Sequence, residues 1–252
     1  MFTLDRASLW KRISAWLLDF ILRLILAAGV AFVFGWLVKY DSYLERYEEK
    51  FNQYQAEYDT DFSYTEEEYN ALDPEEKAKY EAAYIAFSDD EEVIYNWNMM
   101  INLALIMVSL GVLVAIMVTD FVVPLIIKNG QTIGKLCFNI CLVRSDCVKV
   151  NNLMLFTRAL LGKYAIESVV PLYVAILLLF NNGGIIWVAI VGILFIAQTI
   201  LLFATRDHTV IHDLLAGTVV VDKSSQMIYQ STEELVKAKE EQALEEGKAY
   251  KY

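Results

Sequence analysis

Residues 13–38 form a run of 26 residues, Ile13 to Val38, that is apolar except for Asp19 and Arg23. A helix needs about 20 apolar residues to cross a bilayer, so this run is expected to be a first membrane span. Lys11 and Arg12 precede it, as they would in a cleavable leader. However, the apolar part of a leader is only about 7–15 residues long and ends in a small-residue cleavage pattern, and no such pattern follows Val38. Three further apolar runs are present, Met99 to Ile127, Leu160 to Phe180 and Ile185 to Ala204. Four spans would place both termini on the same side.

The bases indicate which side. Arg6, Lys11 and Arg12 precede the first run. The connection 128–163 carries Lys128, Lys135, Arg144, Lys149, Arg158 and Lys163 against the single acid Asp146. Positive charge in short flanking segments stays cytoplasmic, so both termini are expected inside. The uncharged Asn181-Asn182-Gly183-Gly184 fits a tight outer turn. Residues 39–97 would then lie outside. They hold 18 acids and 5 bases, whereas the whole chain has 32 acids, 21 bases and a net charge of −11. The acidity therefore belongs to this one insertion. Cys137, Cys141 and Cys147 lie close together without a CxxC spacing or a nearby histidine, which argues against a disulfide framework or a zinc site. On the reducing inner side they are expected to stay thiols.

Within the insertion, Tyr40, Tyr43, Leu44, Tyr47, Phe51, Tyr54 and Tyr58 follow a 3.6-residue period, so the first span is expected to continue outward as an amphipathic helix. Asp73-Pro74-Glu75-Glu76 places a cap, a proline at the first helical position and a capping glutamate in order. Thr65 with Glu68, and Ser88 with Glu91, repeat the capping pattern. The expected product is a helical hairpin with an aromatic seam and a solvated acidic face. The C-terminal stretch from Ser231, with Glu234 as its capping partner, has a thin apolar face of Leu235, Ala238 and Leu244. It reads as a solvated helical tail.

Charges inside apolar runs carry the functional signal, because a charge at the bilayer centre costs about 2.5–3.5 kcal/mol on insertion scales. At 100° per residue, Arg12, Asp19 and Arg23 fall within about 40° of one another on the helix surface. Asp19 precedes Arg23 by four residues, the favourable order for an ion pair. Asp120 lies about 12 Å inside the second run, at a depth close to that of Asp19. Pro124 lacks the N–H that would bond the carbonyl of residue 120. Two carboxylates sharing one layer of low dielectric would raise one pKa and suit proton-for-cation exchange. Lys163 and Glu167 form another four-residue pair, read as structural. His208 and His212 have a spacing compatible with one metal, but no third ligand is evident. His212 beside Asp213 suits proton handling better.

Three segments also carry a resemblance. Arg12-Ile13-Ser14-Ala15-Trp16-Leu17-Leu18-Asp19, Asn129-Gly130-Gln131-Thr132-Ile133-Gly134-Lys135, and His212-Asp213-Leu214-Leu215-Ala216-Gly217-Thr218-Val219-Val220-Val221 together resemble the RDD family of integral membrane proteins, over about 12–38 and 99–222. Arg12 and Asp19 match the family's arginine and first aspartate. Asp213 is the choice for the second aspartate and Asp120 the fallback, and Arg158 resembles a family arginine that follows the inner loop. The resemblance implies a membrane protein of suspected transport function. Some members are reported to exchange monovalent cations for protons, and some relatives act as assembly factors. Arg23 beside Asp19 and the long insertion depart from the family pattern.

Gly130 and Gly134 flank Gln131-Thr132 where glycine permits close backbone approach, and the spacing is not that of a phosphate loop. Ile140, Leu142 and Val143, then Val148 and Val150, flank Arg144-Ser145-Asp146 as a short hairpin, to which Thr218 to Val221 could add a third strand. That arrangement would hold Asp213 near Arg12 or Arg158.

The expected architecture is an all-α membrane protein with four transmembrane helices and cytoplasmic N and C termini. It carries a helical outer insertion between the first two spans and small cytoplasmic β-hairpin elements. The parts are the N-terminus with the first span (1–38), the acidic insertion (39–97), the remaining spans with the inner loop (98–223) and the acidic tail (224–252). The expected activity is secondary transport in the cell membrane, as monovalent cation/proton exchange with Asp19, Asp120 and Arg23 as ion-site candidates. The alternative is a scaffold or assembly factor. Neither catalysis nor a cofactor, a bound metal or nucleic acid is expected. The partners would be the bilayer, protons, monovalent cations, and a second copy or another membrane protein.

Overall fold

The computed structural model describes residues 4–127, 129–179, 185–205 and 208–249. The expected outer turn at 181–184, Lys128, Phe180 and Asp207 lie outside the described residues. The chain divides into two compact units, one of residues 28–111 and the other of 1–27 with 112–252. Among the described residues three helices are long and apolar enough to cross a membrane: Leu9–Leu37, Glu91–Ile127 and Ile185–Ala204. Large apolar side chains such as Phe32, Trp36, Ile185 and Phe195 are exposed along them, as a bilayer requires.

In the unit 28–111, helix α1 (Leu9–Leu37) ends, and Lys39 at φ 54° separates it from α2 (Tyr40–Tyr58). The expected outward continuation is thus a second helix after a left-handed break. Thr65 and Glu68 form a reciprocal cap on α3 (Glu66–Ala71), and Asp73 and Glu76 do the same for α4 (Pro74–Asp89). The expected Ser88–Glu91 cap is not formed. The Ser88 hydroxyl donates to the Ile85 carbonyl, and Asp90 accepts the Glu92 and Val93 amides at 2.7 and 3.3 Å at the start of α5 (Glu91–Met117). Asp90 sits immediately before the helix, where a short carboxylate reaches the unpaired amides. Phe87 packs edge-on to Tyr47, Phe51 and Tyr54 with ring centroids 5.6–5.8 Å apart. Such contacts add about 0.5–1.5 kcal/mol each beyond their burial.

In the other unit, α5 passes into a π-helical turn, Val118–Val122, and then α6 (Val123–Ile127). Pro124 follows directly. Its missing N–H and its ring clash with the carbonyl four residues back, which favours a widened turn there. After α7 (Ile133–Cys137) and β1 (Ile140–Arg144), one continuous helix runs through α8 (Asn152–Thr157), a π-helical stretch (Arg158–Val169) and α9 (Val170–Leu179). Next come α10 (Ile185–Ala204), α11 (Ile211–Ala216), β2 (Thr218–Asp222) and α12 (Thr232–Ala249).

The sheet differs from the expected hairpin. β1 pairs antiparallel with β2, Leu142 opposite Val220, so Thr218 to Val221 joins the sheet as expected, while 148–150 contribute the isolated bridges Val143–Lys149 and Val148–Tyr229 in place of a hairpin strand. Residues 148–150 instead lead directly into the Asn151 cap of α8. The N-terminal segment lies along β2, with the Ala7 amide donating to the Val220 carbonyl at 3.3 Å. Ala7, Ala15, Ile140, Leu142 and Leu155 form the core beneath the sheet. The tail is docked at its start rather than solvated. Ser231 accepts the Glu234 amide at 3.2 Å, and Leu235 is buried with Cys147, Val148 and Tyr229. All three cysteines are free thiols.

Candidate functional site

Helix α1 presents Arg12, Asp19 and Arg23 along one face, as the wheel predicts, and all three line a cavity of about 730 Å³. Six further ionisable side chains among the described residues line it too: Lys135, Arg158, Lys163, Glu167, His212 and Asp213. Burying charge is costly unless each group is paired and hydrogen-bonded, so the pairings define the site.

Asp19, 3% exposed, is held by the inner loop rather than by Arg23. The Thr132 hydroxyl donates to its Oδ2 at 2.5 Å, and the Gly134 amide donates to Oδ1 at 2.7 Å. The same Thr132 hydroxyl accepts the Lys135 amide at 3.3 Å and caps α7. A Cβ at Gly134 would fall 2.8 Å from the Asp19 carboxylate and nearer still to the Ala15 carbonyl, which explains the glycine. Gly130 takes φ +61° to turn the chain out of α6, and the Gln131 amide donates to the Ile140 carbonyl at 2.9 Å, locking the loop to β1.

The expected Asp19–Arg23 side-chain pair is therefore absent. Arg23 Nε donates to the Asp19 main-chain carbonyl at 3.2 Å and lies 3.7 Å from Asp120 Oδ2. Asp120 is paired to Lys163, and the Thr119 hydroxyl donates to it at 2.9 Å. Asp19 and Asp120 thus have separate partners, with Arg23 between the Asp19 main-chain carbonyl and the Asp120 carboxylate. Lys163 does not pair with Glu167 either. The four-residue rule assumes α-helical turns, whereas this stretch is π-helical, with a wider turn. Glu167 accepts from His212 Nδ1 at 2.7 Å and from Gln198 at 2.6 Å.

Asp213 meets both expected arginines. Arg158 Nε donates to it at 2.9 Å, the Thr218 hydroxyl at 3.2 Å, and Arg12 Nη2 stands 3.5 Å away. Burial pushes the Asp213 carboxyl up, but Arg158, with His212 and Arg12, outweighs it and holds the group below the ordinary range. Burial, together with the Arg158 charge, pushes the His212 imidazole below its ordinary value despite Asp213 and Glu167. His208 Nδ1 is bonded to the Leu202 carbonyl at 2.8 Å. Among the described residues no group of three or more His, Cys, Asp or Glu could hold a metal.

Sequence reasoning missed Lys135, Gln198 and Gly162. Lys135, 6% exposed, is a buried base at the end of a quoted motif. Gln198 is a lone amide in an otherwise apolar helix. Both signals were present. Gly162 gave none, because only the packing of the π-helical stretch on α11 shows that a Cβ there would lie 2.7 Å from the His212 Cα.

No curated protein and no solved structure gives a significant match to this chain. The family model described as "RDD family" matches residues 6–217, a span that includes α1, the loop that cradles Asp19, and α11. The chain belongs to the RDD family of membrane proteins.

Proposed function

We propose that this chain is a secondary transporter of the cell membrane that exchanges a monovalent cation for a proton. In this reading the helix 152–179 supplies a fourth span, both termini are cytoplasmic and the acidic insertion faces outward. The observation that carries it is Asp120, a carboxylate inside an apolar span, 1% exposed, held by the dischargeable base Lys163. A cation taking the Asp120 carboxylate would displace the lysine ammonium. The freed ammonium, left in an apolar surround, would shed its proton, so one positive charge enters as one leaves. Arg23 cannot be discharged and would keep the carboxylate ionised throughout. The Arg12–Asp213–Arg158 cluster would close the inner side.

The test is dye-reported proton flux driven by Na⁺, K⁺ or Li⁺ in proteoliposomes. Wild type should couple cation and proton movement, Asp120→Asn should abolish it, and Lys163→Gln should uncouple the proton. Absence of flux in well-folded wild type overturns the reading. A second reading, a scaffold that recruits a partner, is supported by the separate compact unit with its own aromatic seam. In that case deleting 39–97 would abolish function while Asp120→Asn would not. Four spans are few for a complete pathway, so a second copy or another membrane protein would be a partner in either reading.

A further inference from the structure

The bases lining the cavity outnumber its acids. Among the described residues Arg12, Arg23, Lys135, Arg158 and Lys163 face three carboxylates, Asp19, Glu167 and Asp213, while Asp120 lies behind the lining. The carboxylates are already engaged: Asp19 by Thr132 and Gly134, Glu167 by His212 and Gln198, and Asp213 by Arg158. Two buried donor nitrogens remain short of acceptors even though Arg23 also stands 3.7 Å from Asp120. Lys135 Nζ donates to the Thr132 hydroxyl at 3.3 Å and forms no salt bridge among the described residues. Arg23 Nη2 is buried without a partner. A buried charged donor without an acceptor is costly, and an anion in the cavity would satisfy both. The remaining wall is apolar, with Trp16 and Phe20 from α1 and Leu194 and Phe195 from α10. The volume of about 730 Å³ is within the range of ligand sites.

We infer that this cavity binds an anionic amphiphile, a phosphate-bearing lipid whose headgroup lies with Lys135 and Arg23 and whose chains lie on the apolar wall of α1 and α10. The site does not depend on transport, because binding is read without a gradient. Burial pushes Lys135 down to about 7, with Arg158 and Lys163 adding to the effect and Asp19 and Asp120 opposing it. An anion beside it would draw the proton back. Binding should therefore take up protons near neutral pH and tighten as the pH falls through about 7.

The experiment is native mass spectrometry of the full chain in neutral detergent, loaded with phosphatidylglycerol or phosphatidylcholine, with inorganic phosphate as competitor. Phosphatidylglycerol should be retained at least about tenfold better than phosphatidylcholine and should resist displacement by phosphate. Lys135→Gln and Arg23→Gln, two variants in case one does not fold, should each cut retention about tenfold. Lys11→Gln removes the same charge from outside the cavity and should leave retention unchanged. Equal retention of both lipids, or undiminished binding in both cavity variants, overturns the site. Displacement by phosphate alone overturns the amphiphile.

Discussion

Replacing Asp213 with asparagine tests whether the pairings among buried charges hold this unit together. The carboxylate is 1% exposed, with Arg158 at 2.9 Å and Arg12 at 3.5 Å. Removing one partner of a buried pair costs about 3–5 kcal/mol, because the remaining charges stay desolvated. Asparagine keeps an oxygen for the Thr218 hydroxyl and Arg158, which places the expected loss near about 3 kcal/mol. At roughly 2–4 °C per kcal/mol for a chain of this size, the melting temperature in detergent should fall by about 6–12 °C. A cycle with Arg158→Gln should show at least about 1 kcal/mol of coupling, since the double variant removes both members of the buried pair instead of stranding one. The folded Asp213 pKa is depressed, so its contribution is complete above the ordinary aspartate range and is lost only as the pH falls below it. A melting temperature within about a degree of wild type at neutral pH, with no coupling to Arg158→Gln, would show that the pair does not hold this unit together.

Three further outcomes are expected. Gly134→Ala should lower stability by about 1–3 kcal/mol, because the added methyl meets the Ala15 carbonyl and the Asp19 carboxylate; an unchanged thermal melt would mean the two segments do not approach so closely. Asn96→Leu should raise stability by about 1 kcal/mol, since both polar atoms of the fully buried Asn96 side chain lack partners among the described residues; a lower melting temperature would show that the amide is engaged after all. Burial pushes Asp90 up, but the bonds from Lys50, the Glu92 amide, Tyr54 and the Val93 amide outweigh it and bring the carboxyl down to about 2. Its contribution to the aromatic unit is therefore present above the ordinary aspartate range and lost as the pH falls toward about 2. Near-ultraviolet circular dichroism of the full chain should follow that loss, and Asp90→Asn should flatten it.

The ion pairs show how a buried charge can be legible while its partner is not. Asp19, Arg23, Asp120 and Lys163 each stand out in apolar surroundings, and the wheel correctly places Arg12, Asp19 and Arg23 on one face. The four-residue pairings drawn from them fail twice. Asp19 is taken by a loop 113 residues away, and Lys163 lies in a π-helical stretch where α-helical spacing no longer brings neighbours together. A widened turn before Pro124 has a local cause, but the twelve-residue π-helical stretch has no comparable signal in its residues.

Membrane residence, the extent of the apolar runs, the caps of α3, α4 and α12 and the approach of Asp213 to Arg12 or Arg158 were all legible along the chain. Apart from the placement of Asp213, which rests on Thr218 to Val221 joining the inner-loop strands, these follow from hydropathy, helical period and short-range hydrogen bonding, all of which act within a few residues. The folded chain alone shows that 148–150 add isolated bridges rather than a full hairpin strand beside β1, that Asp120 takes Lys163 while Glu167 takes His212, and that Lys135 faces the cavity without a salt bridge among the described residues. The ion pairs depend on which side chains from distant segments can reach each buried charge, and the strand pairing on which backbone segments are brought alongside one another. That competition is settled by packing and desolvation in three dimensions, and spacing along the chain carries no record of it.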